Sequence, residues 1–153
     1  DAYQLSLLLG TTYRATCRHL VNLRIAARGN SDDWIRVPPG RLKRALATEV
    51  GLTLASTFNM DVWDLRTAAG ARVEASVGDL LVLPVELSAA AKAAGLVVVD
   101  NGSSTVTVEC VAIVSFTDVA SSTQTMSVVI HDRPFGLYLP AADPSLGEVE
   151  LTS

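Results

Sequence analysis

The sequence predicts a mainly β protein: one domain over residues 1–153 of the β-sandwich, jelly-roll or distorted-barrel kind, with two short helices in its connections. An α+β fold is the alternative. Three observations carry this expectation. The chain has 153 residues, 49 % hydrophobic and 18 % charged, which suits one packed core and excludes a disordered chain. Two long stretches, 13–25 and 105–116, alternate apolar and polar side chains with a period of two. Gly, Pro and Asn-Gly punctuation cuts the remainder into short segments, about nine strands in all.

In 13–25 the odd positions Tyr13, Ala15, Cys17, His19, Val21, Leu23 and Ile25 form an apolar face. The even positions are mostly polar, so a long strand is expected. A helix competes, because Cys17, Leu20, Val21 and Arg24 share a helical face. Gly29-Asn30-Ser31-Asp32-Asp33 reads as a turn. Trp34–Val37 reads as a short strand stopped by Pro38-Pro39. Leu42–Val50 has helical spacing at Leu42, Ala45, Leu46 and Glu49, with Gly51 as its stop. Leu52–Phe58 and Val62–Thr67 read as strands, and 68–71 as a turn.

Val73, Ala75 and Val77 alternate with polar residues. Leu80–Leu83 is an apolar strand closed by Pro84. Ser88–Ala94 is an Ala-rich helix ended by Gly95. After apolar Leu96–Val99, Asp100-Asn101-Gly102 has hairpin-turn chemistry. Thr105–Phe116 is the second long strand, and 118–123 a loop. Met126, Val128 and Ile130 mark another strand, Phe135–Leu139 a further one. Residues 140–153 are expected as an extended C-terminal arm, with loop at 140–147 and a terminal strand at Glu148–Leu151. The chain begins at Asp1 rather than Met, which fits a processed product or a fragment. No apolar run reaches the length of a membrane span.

Charge is divided unevenly. Residues 1–76 hold ten basic and seven acidic side chains, and residues 77–153 hold two basic and nine acidic. Arg14, Arg18 and Arg24 share the polar face of the first expected strand. Arg36, Arg41, Lys43 and Arg44 add a basic segment around Pro38-Pro39. Arginine pairs bidentately and is weakly hydrated, so Arg14, Arg18, Arg24, Arg36, Arg41 and Arg44 are the candidate partner-binding residues. Phosphates are one target for them. Net acidity and few aromatics favour a protein partner over nucleic acid, such as the acidic half of another copy.

No residue carries a catalytic expectation. His131 adjoins Asp132, but neighbours in a strand point to opposite faces, a poor relay. His19 falls on the apolar face, where a core role outweighs a ligand role. Cys17 and Cys110 lack zinc spacing and read as buried free thiols, a single bridge between them being the alternative. Asn59, Asp61 and Asp64 offer oxygens within a short span, but in no calcium-loop pattern, and turn chemistry explains them. No glycine-rich phosphate loop or nucleophile elbow occurs. Asn101-Gly102-Ser103 matches the glycosylation pattern, though the turn already accounts for it. No metal or cofactor is therefore expected.

Val128–Tyr138, centred on Asp132-Arg133-Pro134-Phe135, resembles the C-terminal signature of serpins, which implies protease inhibition. His131 and Gly136 depart from positions that are apolar in serpins. The chain is less than half a serpin's length and lacks room for the large sheet and helices. The stretch then reads as a charged strand end, a proline and a return strand. The expectation is a non-enzymatic assembly protein packing against copies of itself or a larger shell. A virion surface or capsid-associated component, on a virion or extracellular surface, is its concrete form. A soluble binding module for a protein or small ligand is the alternative, and an enzyme with a dispersed site a third reading.

Overall fold

The computed structural model describes residues 1–67, 72–102, 105–111, 115–121 and 124–132. Four helices come first: α1 (Ala2–Leu8), α2 (Tyr13–Asn22), α3 (Arg28–Arg36) and α4 (Pro39–Glu49). Then follow β1 (Val62–Asp64), β2 (Arg72–Ser76), β3 (Leu80–Pro84), a 3-10 turn (Val85–Leu87), α5 (Ser88–Ala93), β4 (Val97–Asn101), β5 (Thr105–Glu109), β6 (Ser115–Ser121) and β7 (Gln124–His131). The strands make a four-stranded sheet, β1-β3-β5-β4, and a three-stranded sheet, β2-β7-β6. β1 runs parallel to β3 and β2 parallel to β7; the other pairs are antiparallel.

The mainly β expectation is corrected: this is a mixed helix-and-strand protein, and its two small sheets form no closed barrel. The sandwich and jelly-roll readings fall with it. The capsid-associated and virion reading gains no support from this architecture. The largest error is 13–25. Its buried and half-buried positions are Tyr13, Thr16, Cys17, Leu20 and Val21, spaced three and four apart, while Ala15 and His19 are exposed. The period-two pattern counted Ala15 and His19 as apolar and Thr16 as polar, and burial reverses all three. Thr12 Oγ accepts from Ala15 N–H at 3.2 Å and caps the helix start.

The expected turn at 29–33 and strand at Trp34–Val37 are together α3 and its cap. The segment's turn-forming composition is overridden by packing. Ser31 is buried, and its hydroxyl donates to the Cys17 carbonyl at 3.0 Å, tying α3 to α2. Val37, extended before Pro38, ends α3, and Pro39 opens α4 at its first position. α4 contains most of the expected helix. Leu52–Phe58 contains no strand. It lies against α4 instead: the Lys43 ammonium donates to the Thr57 and Met60 carbonyls. A Cβ on Gly40 would meet Thr57 Oγ1 at 2.7 Å.

The later segments follow the sequence more closely, with shifted ends. β2, β3, α5, β4 and β7 fall on the expected runs, and β1 on the first part of Val62–Thr67. Thr105–Phe116 is not one strand: β5 ends at Glu109 and β6 belongs to the other sheet. The loop expected at 118–123 is β6 as far as Ser121. β4 runs through Asn101, into the expected turn, and the Gly102 N–H donates to the Thr105 carbonyl at 2.9 Å. The expected turn at 68–71, the strand at 135–139 and the arm at 140–153 lie outside the described residues.

Two cores result. The larger draws on Trp63, Leu81, Leu83, Val106 and Val108 of the first sheet, Val73, Ala75, Val128 and Ile130 of the second, and Leu87, Ala91 and Leu96 around α5. The smaller puts Val62, Leu80 and Val82 against Leu46, Val50, Leu52, Leu54 and Met60. β3 is therefore buried on both faces. Asp79, 1 % exposed, joins the parts. Its carboxylate accepts from Asp61 N–H at 2.8 Å, the Trp63 indole at 3.0 Å and Ser76 N–H at 2.9 Å. Tyr3 donates to Asp61, and Gln4 exchanges hydrogen bonds with Val62 and Asp64, docking α1 on β1.

Candidate nucleic-acid interface

The first two helices form a tight pair. α1 ends at Leu9-Gly10, with Gly10 at φ +59°. Thr11 N–H reaches back to the Ser6 carbonyl and Gly10 N–H to the Leu7 carbonyl, the double bond of a Schellman stop. Thr12 then caps α2, so only Leu9–Thr12 separate the helices. Small buried side chains, Ser6 in α1 and Thr16 and Cys17 in α2, suit close approach. The Tyr13 hydroxyl donates to the Trp34 carbonyl at 3.1 Å and holds the start of α2 to the end of α3. Burial, then the Cys17 thiol, push the Tyr13 phenol up to about 12.

α2 leaves Arg14, Ala15, Arg18, His19 and Asn22 exposed. Arg14, Arg18 and Asn22 repeat every four residues and so stand in a row along one face. His19 is thus a surface residue, which corrects its expected core place. Residues 1–49 hold eight arginines and lysines against four carboxylates. Arg14, Arg18, Arg24, Arg28, Arg41 and Arg44 make no ion pair among the described residues. Of the six arginines singled out by sequence, Arg36 alone is in a pair, with Asp33 at 3.3 Å on the surface. Arg14 and Arg18 come together on α2 and Arg41 and Arg44 on the exposed side of α4. Arg24 stands just past the end of α2. Lys43 is taken up internally by Asp61 at 3.0 Å.

Sequence reasoning missed Asn22 and Arg28. It also missed α1 and the turn, although a glycine stop and a threonine cap two residues apart are signals of that boundary. Arg18, Val21, Asn22, Arg28, Ser31 and Asp32 line a polar concavity of about 430 Å³ between α2 and α3. An apolar cleft of about 950 Å³ is lined by Leu5 and Leu8 of α1, Leu20, Ile25, Trp34 and Leu42, among others.

Several other described titratable groups are engaged within the fold. The Arg66 guanidinium, bonded to Asp64 at 2.7 and 2.8 Å, holds that carboxyl below the usual range and is itself raised; it also pairs with Glu49. Asp61 and Asp64 are thus engaged with Lys43 and Arg66, and Asn59 stands exposed at φ +55°. Burial, reinforced by Asp61, pushes Tyr3 well up. Cys17 and Cys110 are both buried free thiols. His131 lies 3.9 Å from Glu74 on the neighbouring strand. No described group of three His, Cys, Asp or Glu residues is arranged to hold a metal ion. No described helix is long and apolar enough to cross a membrane.

Compared with models of known families, with curated proteins and with solved structures, the chain matches none.

Proposed function

We propose that the N-terminal helices dock on duplex nucleic acid, with α2 as the element laid against the polyanion. The protein is on this reading a binding protein rather than an enzyme. The observation that carries it is α1–turn–α2: two helices joined by a short glycine-containing turn, the second presenting arginines to solvent. Helix–turn–helix modules set a recognition helix in the major groove with this arrangement. The unpaired state of Arg14 and Arg18 supports it, because an arginine not held by a carboxylate is available to phosphates and to guanine edges. The helical third is basic although the whole chain is acidic, so the local field favours a polyanion there. The sequence pointed away from nucleic acid through its net acidity and few aromatics, which are properties of the whole chain and not of this surface.

The test is fluorescence anisotropy of labelled duplex DNA with the full chain. Binding that weakens steeply with salt is expected. Arg14→Glu with Arg18→Glu should lower affinity at least a hundredfold (about 3 kcal/mol) at low salt. Binding unaffected by this double change would sink the proposal.

A second reading, association with copies of itself, is favoured by a separate observation. Leu8 (47 % exposed), Ile25 (70 %) and Trp34 (36 %) border the apolar cleft, where single exposed apolar residues would be unremarkable but a cluster is not. Light scattering at low and high salt checks it. A salt-insensitive dimer lost in Ile25→Asp is expected, and a monomer at every concentration refutes it.

A further inference from the structure

We infer that the concavity between α2 and α3 holds a phosphate group, gripped by Arg18 from one helix and Arg28 from the other. The inference rests on the duplex-docking reading and deepens it, by naming which chemical group of the duplex this part of the surface takes.

The concavity, about 430 Å³, has room for a phosphodiester and part of its sugar. Two guanidiniums line it, and neither makes an ion pair among the described residues. Asp32 lines the same space and forms no ion pair with either arginine; two arginines against one carboxylate leave the site with an excess positive charge. A planar guanidinium fork matches two phosphate oxygens, and two forks from different helices approach an anion from different directions. The Asn22 side chain adds an amide donor one turn beyond Arg18. Ser31 is buried, and its hydroxyl is committed to the Cys17 carbonyl. Its role is therefore to lock α3 onto α2, which sets where Arg28 stands relative to Arg18. Arg14 lies one turn before Arg18 on the same row. Arg18 and Arg28 would then position the helix on the backbone, while Arg14 is left to read a base edge.

The full chain is titrated with duplex DNAs of different sequence over a range of salt. Arg28→Ala should weaken every duplex equally, on the order of tenfold at low salt. It should also reduce the slope of log affinity against log salt by about 1, the signature of one lost phosphate contact. Arg28→Lys keeps the charge and should restore the slope without full affinity. Asp32→Asn removes the opposing anion and should tighten binding severalfold. An Arg28→Ala protein with unchanged affinity and slope overturns the inference. If the chain binds no duplex at all, the docking reading fails by itself, and pyrophosphate titration decides the concavity. A saturable shift of the Arg18 and Arg28 Nε–H signals in NMR, abolished by Arg28→Ala, sustains a phosphate site filled by a free ligand. No shift overturns it.

Discussion

Cys110 follows β5 with no exposed surface, and its N–H donates to the Asp79 carbonyl at 2.9 Å. Burial, with Asp79 and Glu109 adding repulsion, pushes its thiol up to about 12 from 9.0. A folded value above the unfolded one means folding favours the protonated form. The contribution is fully present below pH 9 and drains away as pH rises toward 12. Denaturant titrations at stepped alkaline pH should show stability falling across that window. Cys110→Ala should flatten the fall without abolishing it, because the raised Tyr3 phenol acts with the same sign. A fall of identical steepness in the variant would assign it elsewhere. The same burial explains why the sequence foretold Cys110's place: an apolar face at 106, 108 and 110 is the face that packs, whichever sheet receives it. Arg18 is the opposite case. Its exposure and its neighbour Arg28 depend on α3, which the composition of 29–33 concealed.

At the scale of the element, four helices stop in the same way. α1, α2, α4 and α5 each end with a left-handed residue whose N–H, and that of the next residue, bond back into the last turn. Three of these positions are Gly10, Gly51 and Gly95. The fourth is Arg24, at φ +58°, where a side chain costs about 1 kcal/mol relative to glycine. Arg24→Gly should therefore raise stability by roughly that amount, or Tm by about 2–4 °C. Gly95→Ala, at φ +88°, should lower it by a similar step. Thermal unfolding of the two variants checks both signs, and a less stable Arg24→Gly would contradict the strain. If Arg24 also contacts the duplex, the stabilised variant should bind more weakly. The Gly51 and Gly95 stops were legible in the sequence. The α2 stop was not, because arginine there carries no stop signal.

At the scale of the whole molecule, Asp79 is where the parts meet. One buried carboxylate receives donors from β2, from β1 and from the residue before β1, so it links the two sheets. An asparagine in its place has one acceptor oxygen, and its amide group faces N–H donors. Asp79→Asn should cost about 3 kcal/mol or more, read by urea denaturation. A loss below about 1 kcal/mol would mean that the sheets are held without it. Its loss should also blur the separation of the cores, seen as reduced hydrogen-exchange protection in β2 and β7 together.

By itself the sequence determined the apolar runs that became β2, β3, β4, β5 and β7, the helices around 42–50 and 88–94, two of their glycine stops, and the basic N-terminal charge. These are local properties: a run of valines and leucines must be buried somewhere, and a glycine after a helical stretch ends it wherever the helix lies. Tertiary structure decided the rest. Between Tyr13 and Asn22 the period-two pattern matches more positions than the helical one, and a strand is expected, yet the chain is helical. The choice went to the helix because α1 and α3 offer surfaces for Thr16 and Cys17, and because Ser31 bonds to the Cys17 carbonyl. Residues 29–33 have the composition of a turn and are helical for the same reason. Whether 105–116 stays one strand or crosses between sheets depends on partners distant in sequence, β3 on one side and β7 on the other. The candidate interface inherits this. Its arginines were visible as residues, but their row on α2 and their concavity with α3 exist only because packing, which acts between segments, outweighed propensity, which acts within them.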